Sequence, residues 1–251
     1  MVQVYTGAVR KIKGAKVIKA FKNKTVLAFS PHSDDLSISA GGFLSRLSSK
    51  NDVIPVLGFT GWRGVSKKLK KESAIALREK EMKKEAKVLG LEAPLFLGLR
   101  SYEDDTSENR RIDRKAVKDV IKNLQPDMIL VPSRSDTQPR HKLLTEFVTK
   151  SLTRLNKQVT VVYYETPWSL FNADQINLLV PLSKETKAKK MKGVKAHSSQ
   201  LVRKDFIKIS NAMLEHRALV LPEQIIGGFG SNLNLGNWIE AFSSETVNPG
   251  K

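Results

Sequence analysis

Short apolar runs alternate with longer segments of helical periodicity along most of this chain, and this alternation restricts the fold more than any other feature of the sequence. The run Thr25–Ser30 lies between Lys24 and Pro31 and predicts a buried strand. Further strands are predicted over residues 52–59, 94–98, 127–132, 159–164 and 175–182. Because strands that alternate with helices imply right-handed crossovers, we expect an α/β fold, a three-layer αβα sandwich on a mostly parallel sheet.

Helices are predicted wherever apolar residues recur at helical spacing. The longest covers residues 71–89, and Gly90 is expected to end it because glycine readily takes the left-handed conformation of a C-cap. A second helix is predicted over residues 113–124, with Asp113 as its N-cap. The remaining helices are expected over residues 39–49, 141–155, 183–195 and 198–217.

A chain of 251 residues is long enough to bury one sizeable core. No linker rich in Pro, Gly and Ser divides it, so we expect a single domain over residues 1–251, with a core at about 24–217 and a Gly/Asn/Ser-rich C-terminal tail at 227–251. The N-terminus lacks the apolar segment of a signal peptide. No apolar run approaches the roughly 18 residues of a membrane helix, so we expect no membrane span and a cytoplasmic location.

The chain contains no cysteine, which excludes disulfides, thiolate-bound zinc and a cysteine nucleophile. Any metal must therefore be held by carboxylates or by the 4 histidines. The net charge of +18 is compatible with binding to nucleic acid, to an anionic membrane surface or to an anionic substrate. The lysine clusters at residues 67–71 and 184–195 lack the interleaved aromatic residues of single-strand binders, so we expect no specific nucleic-acid partner.

Metal-binding residue types follow two of the predicted strands. His32 and Asp35 follow the strand that ends at Ser30, and His141 lies in the segment after the strand at 127–132. Because parallel strands end at a common edge of the sheet, these side chains are expected to converge there. Two imidazoles and one carboxylate with an open fourth position form the pattern of a catalytic zinc site.

The neighbouring carboxylate of Asp34 is a candidate general base. Adjacent side chains in a turn point apart, so Asp34 is not expected to bind the same ion as Asp35. Zinc lowers the pKa of a bound water from 15.7 to about 7, and a free carboxylate beside that water can accept its proton. Spacing alone leaves a plainer interpretation open, in which the histidine is polar surface and the two aspartates cap a helix.

Four segments resemble motifs of the LmbE-like, or PIG-L-like, family of zinc-dependent N-deacetylases. They are PHSDD at residues 31–35, REKEMKKEAKVLG at 78–90, DTQPRH at 136–141 and HSSQ at 197–200. The segments occur in the family's order and span roughly residues 26–200. Together they are far more specific than any one of them.

The resemblance implies a Rossmann-like sheet and a role for each matching residue. It implies one zinc ion per chain, held by His32, Asp35 and His141, with Asp34 as the base. His197 is implied to lie near the site and to orient groups or donate protons. Two further residues each have two interpretations: Arg78 binds substrate or pairs on the helix surface with Glu81 or Glu85, and Asp136 fixes a metal ligand or is a turn residue.

Two departures from the family pattern concern catalysis. Gln138 stands where the family has a histidine, and a glutamine amide can donate a hydrogen bond to an oxyanion but cannot deliver a proton. We expect His197, or Asp34 once protonated, to act as the acid instead. Arg140 replaces an aspartate and is a candidate to meet an anionic group of the substrate. Leu36 in place of glutamate is a milder change.

The sequence therefore predicts a zinc-dependent hydrolase that removes an N-acetyl or other N-acyl group from an amino sugar or glycoconjugate. The segment 163–168, YYETPW, could line a sugar pocket or simply pack in the core. A homo-oligomer is left open. Two alternatives also remain: a zinc-binding family member that is catalytically weak and serves as a binding module, and a basic protein associated with nucleic acid.

Overall fold

A computed structural model describes residues 2–5, 15–18, 21–152, 155–221 and 235–248. In these residues a nine-stranded sheet has the order β2-β1-β8-β9-β7-β6-β3-β4-β5. The strands are β1 (Val2–Tyr5), β2 (Ala15–Ile18), β3 (Thr25–Ser30), β4 (Asp52–Leu57), β5 (Leu95–Phe96), β6 (Met128–Pro132), β7 (Val159–Tyr164), β8 (Leu178–Pro181) and β9 (Ile239–Val247). Every neighbouring pair is parallel except the two that include β9.

Helices cover both faces of this sheet, as the alternation predicts. They are α1 (Asp35–Leu47), α2 (Lys71–Leu89), α3 (Ser107–Leu124), α4 (Pro139–Leu152), α5 (Lys184–Lys195), the short α6 (Ser198–Leu201) and α7 (Phe206–Leu221). Helices α3 and α4 contribute to the core on one face, and α1, α2 and α7 contribute to the core on the other. The three-layer αβα architecture is therefore confirmed.

The central strand β3 shows why its sequence is apolar throughout. Leu27 and Phe29 pack in the core that includes α3 and α4, whereas Val26 and Ala28 pack in the core beneath α1. All four side chains are fully buried. A strand that is covered on both faces gains from apolar residues at every position, so its sequence does not alternate.

Pro55 lies on β4 at a position where no partner strand is required. The carbonyls of Val53 and Leu57 accept hydrogen bonds from Glu92 and Leu97 on the side away from β3. Since backbone groups alternate in direction along a strand, the nitrogen of Pro55 also faces that side. β5 pairs only with Val56 and Leu57, so the missing N–H at Pro55 breaks no strand pairing.

Several predicted boundaries are wrong. The helix expected over residues 113–124 begins at Ser107, and its N-cap is Thr106, whose hydroxyl accepts the Asn109 N–H at 3.2 Å. Asp113 is buried in the middle of this helix and accepts the N–H groups of Arg100 and Ser101, both at 2.8 Å. The single helix expected over residues 198–217 is interrupted between α6 and α7.

The expected C-terminal tail at residues 227–251 contains a strand of the sheet. Within it, β9 lies between β7 and β8 and pairs antiparallel with both. The core therefore extends past residue 217, and it also includes Val4 and Tyr5 of β1, before residue 24. Residues 227–234 and 249–251 of the expected tail lie outside the described residues. No helix in the described part of the chain is both long enough and apolar enough to cross a membrane.

Candidate metal centre and active-site cavity

The turn after β3 places His32 and Asp35 side by side. The His32 N–H donates to Oδ2 of Asp35 at 2.8 Å, and Asp35 is the first residue of α1. A carboxylate in the first turn of a helix also interacts favourably with the helix dipole. β6 is the parallel neighbour of β3, so the segment that follows β6 returns to the same edge and brings His141 to this turn.

Three ligand atoms from these residues form a nearly equilateral triangle. Nδ1 of His32 lies 3.2 Å from Oδ2 of Asp35. Nε2 of His141 lies 3.3 Å from that carboxylate oxygen and 3.3 Å from Nδ1 of His32. A tetrahedral zinc ion with bonds of about 2.0–2.1 Å separates its ligand atoms by about 3.3 Å. The triangle therefore fits such an ion without rearrangement.

Asp136 orients one of the imidazoles. Its Oδ2 lies 2.9 Å from Nδ1 of His141 and accepts the Thr166 hydroxyl at 2.7 Å, while its Oδ1 accepts the Gln138 N–H at 2.8 Å. Burial opposes ionisation of Asp136, but its hydrogen bonds and the charge of His141 hold its pKa below the usual value. An imidazole that donates Nδ1–H to a carboxylate presents Nε2 to a metal.

The donor set carries an excess of negative charge. Burial by itself would lower the pKa of His141, but the charges and hydrogen bonds of Asp35 and Asp136 raise it to about 10. Burial of Asp35 would raise its pKa, yet the His141 and His32 side chains hold it well below the usual value. Two buried carboxylates around these imidazoles suit a divalent cation, which can take the place of a proton on His141.

Asp34 faces a buried arginine. Its Oδ1 accepts a hydrogen bond from Nη2 of Arg78 at 2.6 Å. Burial tends to raise the pKa of Asp34, but the Arg78 charge opposes this effect and the pKa lies below the usual value. Asp34 is therefore ionised at neutral pH and can accept a proton.

Arg78 is only 2% exposed, so the interpretation of Arg78 as a helix-surface residue is wrong. Its Nη1 lies 3.9 Å from Oε2 of Glu81. Neither Nε nor Nη1 has a hydrogen-bond partner within the described residues. Gly61 lies directly against it, and a Cβ at this left-handed position would be 3.5 Å from Nε of Arg78. Arg78 lines the cavity, but these two donors are themselves buried.

His197 lies at the start of α6 and does not line this cavity. It is buried, and its Nε2 forms a hydrogen bond with Oε2 of Glu85. Its Nδ1 has no hydrogen-bond partner in the part of the chain that the structure describes. This placement favours a role in fixing α6 against α2, and a proton-donating role for His197 stays a prediction.

Gln138 and Arg140 both lie at the start of α4, but only one of these two side chains lines the cavity. Oε1 of Gln138 accepts the N–H groups of Arg140 at 2.5 Å and of His141 at 3.3 Å, so it caps this helix. Gln138 also lines the cavity. The Arg140 guanidinium lies 3.3 Å from Oδ2 of Asp105 and does not line the cavity, so its geometry does not favour the substrate contact that the sequence suggested.

A cavity of about 220 Å³ opens over the triangle of ligands. Its lining combines the predicted site residues with several that were not predicted: Ile38, Gly61, Gly64, Tyr102, Gln200, Arg203 and Phe206. Pro167 and Trp168, from the segment considered for a sugar pocket, also line it. Gln200 belongs to the HSSQ segment, so a signal for it was present. Arg203 and Phe206 carry no local signal, because only the fold brings them to the cavity.

Comparison with known proteins identifies a family model described as PIG-L, GlcNAc-PI de-N-acetylase, which matches residues 27–152. This match covers the strand, turn and helix segments that carry the three ligands and Asp34.

Solved structures with the same fold cover most of this chain. An N,N'-diacetylchitobiose deacetylase from Pyrococcus horikoshii is 23% identical, with a TM-score of 0.70, over 88% of this chain and 84% of its own. The 4-carboxy-2-hydroxymuconate hydratase GalB from Pseudomonas putida is 18% identical, with a TM-score of 0.69, over 90% and 97%. A zinc-inhibited form of the teicoplanin deacetylase Orf2 is 18% identical, with a TM-score of 0.65, over 89% and 98%.

Proposed function

The chain belongs to the PIG-L family, and from this premise we propose that it is a zinc-dependent hydrolase that removes the N-acetyl group of an amino sugar or glycoconjugate and releases acetate. The observation that carries the proposal is the triangle formed by His32, Asp35 and His141 beside the separate, ionised carboxylate of Asp34. The GalB hydratase has this fold and a different reaction, so the proposal rests on the site and the family.

His32, Asp35 and His141 would hold one zinc ion and leave a fourth position toward the cavity. When bound there, zinc supplies Lewis acidity and lowers the pKa of water to about 7. Nitrogen and oxygen donors without thiolates suit zinc, although related divalent ions accept the same set.

Asp34 is the proposed base. It accepts a proton from the water that attacks the acyl carbon, and it is already ionised because Arg78 holds its pKa low. The protonated Asp34 then returns this proton to the nitrogen as the C–N bond breaks, which yields acetate and a free amine. We favour Asp34 over His197 as the acid because Asp34 lines the cavity, whereas Nε2 of His197 is engaged by Glu85.

Gln138 is the proposed donor to the acyl oxygen, which gains negative charge as water adds to the carbon. Its Oε1 caps α4, so its amide N–H₂ group is the part that can serve the cavity. Preorganised donors at such an oxygen are worth about 10²–10³ in rate. Arg78 also lines the cavity, where its Nη2 donates to Oδ1 of Asp34 and holds this carboxylate in place.

Acetate release from a panel of N-acetyl sugars tests this proposal. Zinc-loaded protein is incubated with N-acetylglucosamine and its short oligomers, and acetate and free amine are measured together. We expect equal amounts of both products and no release after treatment with a chelator that removes the metal. A protein that retains zinc but releases no acetate from any of these substrates contradicts the proposed reaction.

A further inference from the structure

We infer that the mouth of the cavity contains a subsite for a negatively charged group, a phosphate or a carboxylate, attached to the N-acylated sugar, and that Arg203 recognises it. The inference rests on the proposed function in taking the sugar to bind in this cavity. Arg203 lines the cavity beside Gln200 and Gly64.

The Arg203 guanidinium is held in place by neutral acceptors. Its Nη1 donates to the Gly64 carbonyl at 2.9 Å and to Oε1 of Gln200 at 3.2 Å. Gln200 is buried, and its Nε2 donates to the same Gly64 carbonyl at 3.1 Å and to the Ser199 hydroxyl at 3.0 Å. Since neither acceptor is charged, these contacts orient the guanidinium without neutralising it.

Gly64 makes this position of the guanidinium accessible. A Cβ at residue 64 would lie 2.9 Å from Nη1 of Arg203 and 3.4 Å from Oε1 of Gln200. Side chains do not tolerate such a contact without moving, so a larger residue here would displace the guanidinium. The glycine therefore provides space for the approach of Arg203 to the backbone.

Other arginines near the cavity are already paired with carboxylates. Arg78 pairs with Asp34, Arg140 with Asp105, and Arg63 with Glu103. No carboxylate of the described residues lies within ion-pair distance of Arg203 or of its neighbour Lys204. The charge of Arg203 is thus available to a ligand, and a planar guanidinium can donate two parallel hydrogen bonds to a phosphate or carboxylate.

An aromatic side chain and a second cation also lie at the mouth of the cavity. Trp168 lines the cavity and is 44% exposed, and Nζ of Lys204 lies 4.4 Å from its ring centroid. The cavity volume of about 220 Å³ is below the roughly 300–1,000 Å³ of most ligand pockets. A substrate larger than one sugar therefore extends past the mouth, where Arg203, Lys204 and Trp168 lie.

Binding measurements on a zinc-loaded Asp34→Asn background test the inference without turnover. The probes are N-acetylglucosamine, its 1-phosphate and N-acetylmuramic acid, whose carboxylate represents the second anionic class. We expect at least one anionic sugar to bind about tenfold or more tightly than the neutral sugar by calorimetry. The tighter of the two anionic probes identifies the anion as phosphate or carboxylate.

Adding Arg203→Ala should abolish this preference, measured as the ratio of the two affinities in the same variant, because the anionic group loses its partner. Arg203→Lys should retain part of the preference, since it keeps the charge but not the planar donors. The matched control is Arg111→Ala, which removes the same charge from the surface of α3 and should keep the preference.

The inference is overturned if neither anionic sugar binds more tightly than the neutral one, or if Arg203→Ala keeps the preference. Failure of the proposed function has a different signature, because binding does not require turnover. If wild-type protein releases no acetate while the Arg203-dependent preference persists, the reaction is wrong and the subsite stands. If acetate is released with no preference, the reaction stands and the subsite is wrong.

Discussion

Asp136 and His141 form a buried pair in which the carboxylate oxygen lies 2.9 Å from Nδ1 of the imidazole. This contact turns Nε2 of His141 toward Asp35, at 3.3 Å. The single imidazole thereby connects two carboxylates that follow different strands, and the orientation of the third ligand depends on a residue that does not itself reach the triangle.

Replacing this carboxylate should weaken zinc binding without abolishing it. We expect Asp136→Asn to reduce zinc affinity about 10- to 100-fold, because the amide orients His141 less firmly and makes it less basic. Competition with a chromophoric chelator measures the affinity. Asp119→Asn, on the exposed surface of α3, is the control and should leave it unchanged. An unchanged affinity for Asp136→Asn would contradict the role given to Asp136.

The buried pair of Lys190 and Glu240 should be important for stability. Nζ of Lys190 donates to the Ile38 carbonyl at 2.7 Å and to Oε1 of Glu240 at 2.8 Å. We expect Lys190→Met to lower the free energy of unfolding by about 3–5 kcal/mol, because it leaves the Glu240 charge buried without its partner. Denaturant unfolding measures this loss.

Lys115→Met is the matched control for Lys190, because Lys115 pairs with Asp119 on the surface. Exposed pairs of this kind contribute about 0–1 kcal/mol, so the control should change stability little. Equal losses from the two variants would show that the buried pair has no special role.

Asp127, which contacts the first residue of β3, should make the free energy of unfolding depend on pH. Its Oδ2 accepts the Thr25 N–H at 3.0 Å, and Lys157 donates to Oδ1 at 3.0 Å. Partial burial opposes ionisation, but these hydrogen bonds and the lysine charges lower its pKa below 3.8. A lowered pKa in the folded state stabilises the protein above the unfolded pKa, and this contribution is lost as the pH falls through the folded value.

Asp127→Asn should therefore be less stable than wild type at neutral pH, and the difference should shrink as the pH falls below about 4. Unfolding curves at several pH values measure it. A difference that does not change with pH would show that the ionised carboxylate contributes nothing beyond its hydrogen-bond geometry.

Local sequence patterns predicted most of the helices and strands that form the three layers of the fold. Gly90 ends α2 with a φ of 79°, as its position after an amphipathic run implied. The two strands that precede the ligands were predictable because buried parallel strands are apolar throughout. Strand β9 was not predicted, because it lies after a Gly/Asn-rich segment and its place between β7 and β8 depends on pairing with residues distant in sequence.

Functional and buried polar residues likewise include some that local sequence predicted and some whose position depends on the fold. His32, Asp35 and His141 follow strand ends, and the structure brings their ligand atoms together. Lys190 could not be distinguished from the other lysines of α5, because its burial depends on how this helix packs against α1. Asp113 has the residue type of a helix cap, yet the fold places it in the interior as an acceptor for Arg100 and Ser101.

The central claim is that three residues bind the metal while a fourth carboxylate moves the proton. The most direct test measures bound zinc and acetate release for wild type and Asp34→Asn under the same conditions. The account predicts about one zinc per chain in both proteins, with acetate release from N-acetylglucosamine oligomers lowered at least about 100-fold in the variant, as expected for loss of a general base. Full activity in the variant, or no zinc bound by either protein, would contradict it.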